Sequence, residues 1–284
     1  MLLGYNTNGL AHHELFDAVT LLAELGYRSV AITIDHTALP PYAAHGRQRI
    51  RRLRTLLDRL AMRSVIETGA RFLLDPRAKH EPTLISTDRN GRARRVDFYK
   101  YAVDCAAELG SACVSIWSGP LHNGTPPATA MDWLVAGLGE VLAYAAGRRV
   151  TVAFEPEPGM WIDSMRAWED LLARPGLDDL RLTLDVGHLH CQGEGPIAEV
   201  IRRWAPRLVN VHMEDMRRGV HEHLMFGDGE IDFPPILQAL DAEGYVGGVH
   251  VELSRHSHEG PAAARRAMEF LEQAAGSRQQ AGGP

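Results

Sequence analysis

Apolar and polar positions along this chain alternate between two rhythms. Short runs rich in β-branched residues stand at 2–6, 29–35, 64–67, 113–117, 150–155, 180–185, 208–212 and 249–253. Between them, apolar residues recur three and four apart, the spacing of amphipathic helices, at 13–25, 47–61, 97–109, 128–146, 164–172, 197–204, 233–241 and 262–274. The first helical stretch carries Leu15, Val19, Leu22 and Leu25 on one face and stops at Gly26; the third stops at Leu109-Gly110. Asp163 or Ser164 is placed to cap the fifth, and Asp232 the seventh. The basic run 47–59 is interleaved with Ile50, Leu53, Leu56 and Leu57, and reads as a helix with a solvated outer face. Residues 92–95 read as a surface loop. Eight strand–helix units in 284 residues predict a parallel α/β sheet closed into a single (β/α)8 TIM barrel. The barrel is expected over 1–275, with a disordered polar tail over 276–284. No glycine-rich phosphate loop follows the first strand, which weighs against an open nucleotide-binding sheet.

Strand parity sharpens the picture. In the fifth strand Val150, Val152 and Phe154 share one face, and Thr151, Ala153 and Glu155 the other. The sixth sorts Leu180, Leu182 and Leu184 against Arg181, Thr183 and Asp185. The seventh sorts Val209 and Val211 against Leu208, Asn210 and His212; the eighth sorts Val249, Val251 and Leu253 against Gly248, His250 and Glu252. One face is apolar and suited to lie under helices. The other ends each time in a potential ligand, so Glu155, Asp185, His212 and Glu252 are expected inside one rim, where barrel enzymes carry their chemistry. Asn6, Asp35, Glu67 and Trp117 follow the same rule. Three carboxylates and one imidazole suit one divalent cation; Mn²⁺ fits best, with Mg²⁺, Co²⁺ or Zn²⁺ as alternatives. Glu157 shares the parity of Glu155, but Pro156 and Pro158 take the chain out of the strand, so Glu155 is favoured as ligand and Glu157 as a substrate contact. His250 lies one layer deeper and reads as a hydrogen-bonded core histidine.

Composition removes several classes. Net charge is −6 with a pI near 6.2, so no basic surface recommends a nucleic-acid or membrane partner. Cys105, Cys113 and Cys191 are scattered, which argues against a disulfide framework and for a reducing cytoplasm. No apolar run could span a bilayer, and the first residues do not form a secretory signal. Assembly as a homo-oligomer is compatible with this composition. Trp117 and Trp161 stand where they could stack on a sugar face. Arg217 and Arg218 could grip a phosphate or carboxylate, and His36 could face the pocket. His221 and His223 could hold a second metal or reach substrate.

The pieces Glu155 in FEPEPG, Asp185 and His188 in LDVGH, His212 in VNVHMED, the stretch HLMFGDGEID from His223, and Glu252 in HVELS resemble the xylose isomerase-like barrel superfamily. That group contains sugar isomerases, sugar epimerases and endonuclease IV, and the resemblance is nearest to the sugar phosphate isomerase/epimerases of the tagatose/psicose 3-epimerase type. It implies that Glu155, Asp185, His212 and Glu252 bind one cation, that Glu155 and Glu252 are the acid/base pair, and that His188 contacts substrate oxygens. The implied reaction is isomerisation or epimerisation of a sugar, sugar phosphate or cyclitol through an enediolate. A dehydratase or lyase acting on an inosose or keto-sugar, C-glycoside cleavage included, is the alternative. An endonuclease IV-like role fits less well. Trp117 stands at one of its histidine positions, the third strand offers Glu67 and no histidine, and His221 replaces an aspartate.

Overall fold

The computed structural model describes residues 1–276. Its strands are β1 (Leu2–Asn6), β2 (Ser29–Thr33), β3 (Arg63–Glu67), β4 (Val114–Ile116), β5 (Val152–Phe154), β6 (Arg181–Asp185) and β7 (Leu208–Met213), then a hairpin of β8 (Asp215–Arg217) and β9 (Val220–Leu224), then β10 (Gly248–Val251). The hairpin apart, they close a parallel barrel in the order β1-β10-β7-β6-β5-β4-β3-β2. The helices are α1 (Leu15–Glu24), α2 (Gly46–Arg59), α3 (Arg89–Leu109), α4 (Pro127–Ala146), α5 (Met165–Leu172), α6 (Val186–Gln192), α7 (Ile197–Trp204), α8 (Phe233–Ala242) and α9 (Gly260–Gly276). Gly276 still belongs to α9, and the rest of the expected tail lies outside the described residues. Among the described residues no helix is long and apolar enough to cross a membrane.

The outward strand residues build the core. Val152, Phe154, Leu182, Leu184, Val249 and Val251 are buried among helix side chains, and the Phe154 ring stacks 5.7 Å from Trp168 of α5. Burying each such side chain stabilises by about 1.5–3 kcal/mol. Gly110 ends α3 in the left-handed conformation, as a glycine stop requires, and Ser164 caps α5 through Ala167 N. Asp232 precedes α8 but makes no capping bond. Pro234 and Pro235 follow Phe233 at the second and third helical positions, and neither has an N–H to give.

Two expectations are corrected. Residues 92–95 are not a loop. Helix α3 begins at Arg89, where the Asp88 carboxylate accepts from Asn90 N and Gly91 N. Arg95 on the second turn is completely buried and donates to the carbonyls of Pro82, His80 and Thr68. Val209 does not lie outside the barrel. A register shift between β6 and β7 pairs Leu182 with Leu208 and then Thr183 with Asn210. The extra residue, Val209, turns in against Ala31, Val65, Cys113 and Ala153.

Inside the barrel the side chains are small or polar, and His250 spans the floor. Its ring lies so close to Gly4 that any side chain there would overlap it. The Asn210 Oδ1 atom, 2.8 Å away, can only accept, so His250 Nδ1 donates to it; His250 Nε2 then accepts from the Ser29 hydroxyl, also 2.8 Å away. Burial, helped by the positive charge on His212, pushes the His250 pKa down to about 3. The unfolded chain binds a proton there below about pH 6.5 and the folded chain does not. Stability is therefore complete above that pH and is lost as pH falls toward 3, by about 1.4 kcal/mol per pH unit. Urea midpoints at pH 7 and pH 5 should fall further apart in the wild type than in His250→Gln; equal pH slopes would exclude this origin.

Candidate metal centre

Four residues arrive at one rim from four strands. Glu155 follows β5, Asp185 ends β6, His212 lies in β7 and Glu252 follows β10. One ligand atom from each lies within 4.8 Å of the others. The His212 Nδ1 atom stands 3.0 Å from Glu155 Oε1, 2.9 Å from Glu252 Oε2 and 3.9 Å from Asp185 Oδ2. Barrel register sets Asp185 opposite His212, while Glu252 stands two residues beyond His250, the residue opposite His212, and reaches back to it.

Neighbouring groups orient three of the four candidate ligands. Glu67 Oε1 accepts from His212 Nε2 at 2.9 Å and from Asn210 Nδ2 at 2.9 Å, which leaves Nδ1 as the ring's lone-pair atom. A carboxylate behind a histidine ligand is the usual way to fix the tautomer and raise its basicity. Asn8 Nδ2 donates to Glu252 Oε1 at 2.7 Å and leaves Oε2 facing His212. Asp185 Oδ1 caps α6 by accepting from His188 N at 2.8 Å, while Asp185 Oδ2 is buried without any hydrogen-bond partner. That orphaned oxygen, within a set of three carboxylates and one imidazole, fits a hard or borderline divalent cation. Glu155, Asp185, His212 and Glu252 would hold it.

The environments of the acids differ. Burial pushes the Glu155 carboxyl up to about 8, against the pull of His212. Burial also raises Glu252, but His212, His223 and His188 more than offset it and hold that carboxyl below the usual range. Asp185 is likewise low, because the imidazoles of His188, His223 and His212 outweigh its burial. His212 itself is lowered by burial, yet Glu155, Glu67 and Glu252 keep it well above an ordinary histidine.

Glu155, His212 and Glu252 open onto a cavity of about 380 Å³, also lined by Trp117, Glu157, His188, His221 and His223. Burial, then the Glu252 charge, pushes Glu157 up to about 7. His188 Nδ1 donates to Pro156 O at 3.3 Å, and its Nε2 faces His221 Nε2 at 3.1 Å. His223 Nδ1 lies 3.1 Å from Glu252 O, and the rings of His188, His221 and His223 form a second compact group. Other candidates lie elsewhere. Arg217 is exposed, donates to Asp228 O at 3.1 Å and is not among the residues that line the cavity. Arg218, Trp161, Asp35 and His36 are also absent from its wall.

Some of the site was not anticipated. The hairpin β8–β9 brings His221 and His223 in, and Asp215 organises the turn behind it. Its carboxylate accepts from Gly227 N, Met216 N and Ile231 N, which accounts for the GDGEID stretch as scaffold. Glu214 is fully buried, neither oxygen has a hydrogen-bond partner, and burial beside Asp185 drives its pKa well up. A side chain at Gly187 would overlap it. Parity with Asn210 and His212 could have pointed to Glu214. No periodic signal marks Asn8, which sits on the 3-10 turn Thr7–Leu10 after β1.

The sequence matches the xylose isomerase-like TIM barrel family over residues 19–274. The chain belongs to that family. Among curated relatives, an inosose dehydratase of Geobacillus thermodenitrificans is 28% identical over 165 residues, covering 51% of this chain and 55% of the relative. The match thus spans about half the length of that relative. The L-ribulose-5-phosphate 3-epimerase UlaE of Shigella flexneri is 24% identical over 253 residues, covering 87% and 84% of the two chains. Among solved structures, an L-ribulose 3-epimerase superposes with a TM-score of 0.78 at 19% identity, over 99% of this chain and 98% of the other. The IOLI protein with a bound zinc atom superposes at 0.77 and 18% identity, over 96% and 98%. These likenesses establish a xylose isomerase-like barrel.

A cation held by these residues would expel the proton from His212, so apparent affinity should rise with pH. Titration calorimetry in buffers of different ionisation heat reads the release. Glu67→Gln should weaken binding by about 10–100-fold; unchanged affinity would remove Glu67 from the centre.

Proposed function

We propose that this chain is a divalent-cation-dependent isomerase or epimerase of a sugar, sugar phosphate or cyclitol. The observation that carries the reading is the pair Glu155 and Glu252. Both carboxylates lie within 3.0 Å of the same imidazole nitrogen, and their surroundings push their proton affinities in opposite directions. Unlike surroundings for two neighbouring acids are how one site runs acid and base steps together. Mn²⁺ is the cation this oxygen-rich set favours. When bound, it supplies Lewis acidity that lowers the cost of negative charge on a substrate carbonyl oxygen.

The protein residues do the rest. Glu252, held ionised by the imidazoles and steadied by Asn8, removes the proton from the carbon beside the carbonyl. Glu155 returns a proton to the opposite face, giving the epimer; return to the neighbouring carbon gives the isomer. Substrate travelling in the reverse direction exchanges the two roles. His188 and His223 meet substrate oxygens, Trp117 offers its ring, and Glu157 contacts a hydroxyl. Three buried, unpaired cysteines fit a reducing cytoplasm as the working compartment.

A lyase reading has its own support in the likeness to inosose dehydratase. The first proton removal is the same, and a β-hydroxyl then leaves as water. Incubation with ketoses and inososes in D₂O separates the two. Deuterium entering a carbon-bound position without water loss is the expected result, and a new ultraviolet chromophore from dehydration would favour the lyase. Glu252→Gln should slow exchange by about 10²–10⁴-fold; undiminished exchange would overturn the assignment.

The three imidazoles of His188, His221 and His223 also satisfy the donor count of a second cation site. Elemental analysis should find one tightly held equivalent per chain. A second equivalent, lost in His221→Ala, would move these residues from substrate contact to metal binding.

A further inference from the structure

The floor and one wall of the cavity carry opposite charge. The floor is the carboxylate and imidazole cluster. The wall is the long connection between β3 and α3, which brings Arg71 and Lys79 to the same cavity. Among the described residues, neither has a carboxylate within 4.0 Å, whereas Arg255, the other cation lining the cavity, is paired with Glu222 at 2.9 Å. Both therefore face the cavity without a carboxylate partner.

The connection is built to hold them there. Arg95 reaches out of α3, fully buried, and grips the carbonyls of Pro82, His80 and Thr68. Its guanidinium lies 5.1 Å from the Trp117 ring centre. His80 N donates to Arg71 O at 2.6 Å, and His80 Nδ1 donates to Gly69 O at 2.7 Å, so the segment between is a closed loop. Burial, with the charges of Lys79, Arg95 and Arg71, pushes His80 down to about 4, so it is neutral and adds no positive charge of its own. Arg71 Nη2 lies 3.4 Å from Asn8 O, and Asn8 in turn holds Glu252. Lys79 is close enough to Glu157 for its charge to bear on that carboxyl. Both cations therefore stand one residue removed from the reacting cluster.

We propose that Arg71 and Lys79 form an anion subsite, and that the substrate is a polyol carbonyl compound carrying a carboxylate or phosphate group. The anion is held on this wall while the carbonyl end lies on the carboxylate cluster. The inference rests on the proposed proton-transfer function for its choice of substrate body, though not for the existence of the anion site. It moves the task expected of Arg217 to residues that line the cavity.

The test is calorimetric titration of the Mn²⁺-loaded chain with glycerol, glycerate and glycerol 3-phosphate. At least one anion should bind more tightly than glycerol by about 10-fold or more, and which one does so separates carboxylate from phosphate. Lys79→Met and Arg71→Met should each weaken that anion by about 10–100-fold, with Arg71→Lys recovering part of the loss. Lys79 is exposed, so its variant tests the idea without burdening the fold. Anions that bind no better than glycerol, or that bind equally to both Met variants, would overturn the subsite. Absence of solvent exchange in every ketose would instead strike the proposed reaction and leave the binding result standing.

Discussion

Carboxylates gathered around one imidazole set the terms for this barrel. Glu155, Asp185, Glu252 and Glu67 surround His212 in a region almost closed to water, and Glu214 lies buried behind Asp185. Such a group repels itself unless positive charge is placed among it. His212, His223 and His188 supply part of that charge, and a divalent cation would supply the remainder. The bulge at Val209, the capping turn at Asp185 and the hairpin β8–β9 all serve to aim side chains at this one point.

Much of the fold and the four-residue cluster was legible because a barrel strand has a strict period of two. A ligand at the end of an apolar run declares its face, and four such ends at one level imply a shared site. The rule failed at Val209 because a bulge inserts one residue and reverses parity, and no local composition marks it. Arg95 escaped because a helix that opens on two polar turns looks like a loop; its partners are backbone carbonyls, which leave no trace in residue identity. Arg217 misled because position after a strand does not reveal which way a hairpin turns. The GDGEID stretch carries a family resemblance, and its physical role is visible only in the structure, where Asp215 accepts from two of its N–H groups, Gly227 N and Ile231 N, and from Met216 N.

The cavity is polarised, with acids at its base and cations on the β3–α3 wall. A substrate with a neutral carbonyl end and an anionic tail would enter in one orientation. Orientation matters here, because epimerisation and isomerisation differ only in which carbon receives the returning proton. In the proposed reaction the wall would thus bear on the outcome without touching the reacting carbon.

One hydrogen-bonded line runs from Ser29 through His250, Asn210 and Glu67 to His212. It joins the deepest layer of the barrel to the ligand at the rim, and every member except Glu67 is fixed in donor or acceptor sense by the next. The packed interior is therefore tied to the candidate metal centre. A hydroxyl lost at Ser29 would remove one of the two hydrogen bonds that hold the His250 ring and reach the candidate ligand His212 through Asn210 and Glu67. Sequence drift in the barrel bottom, normally judged by volume alone, is here constrained by the proton inventory of a site at the opposite end.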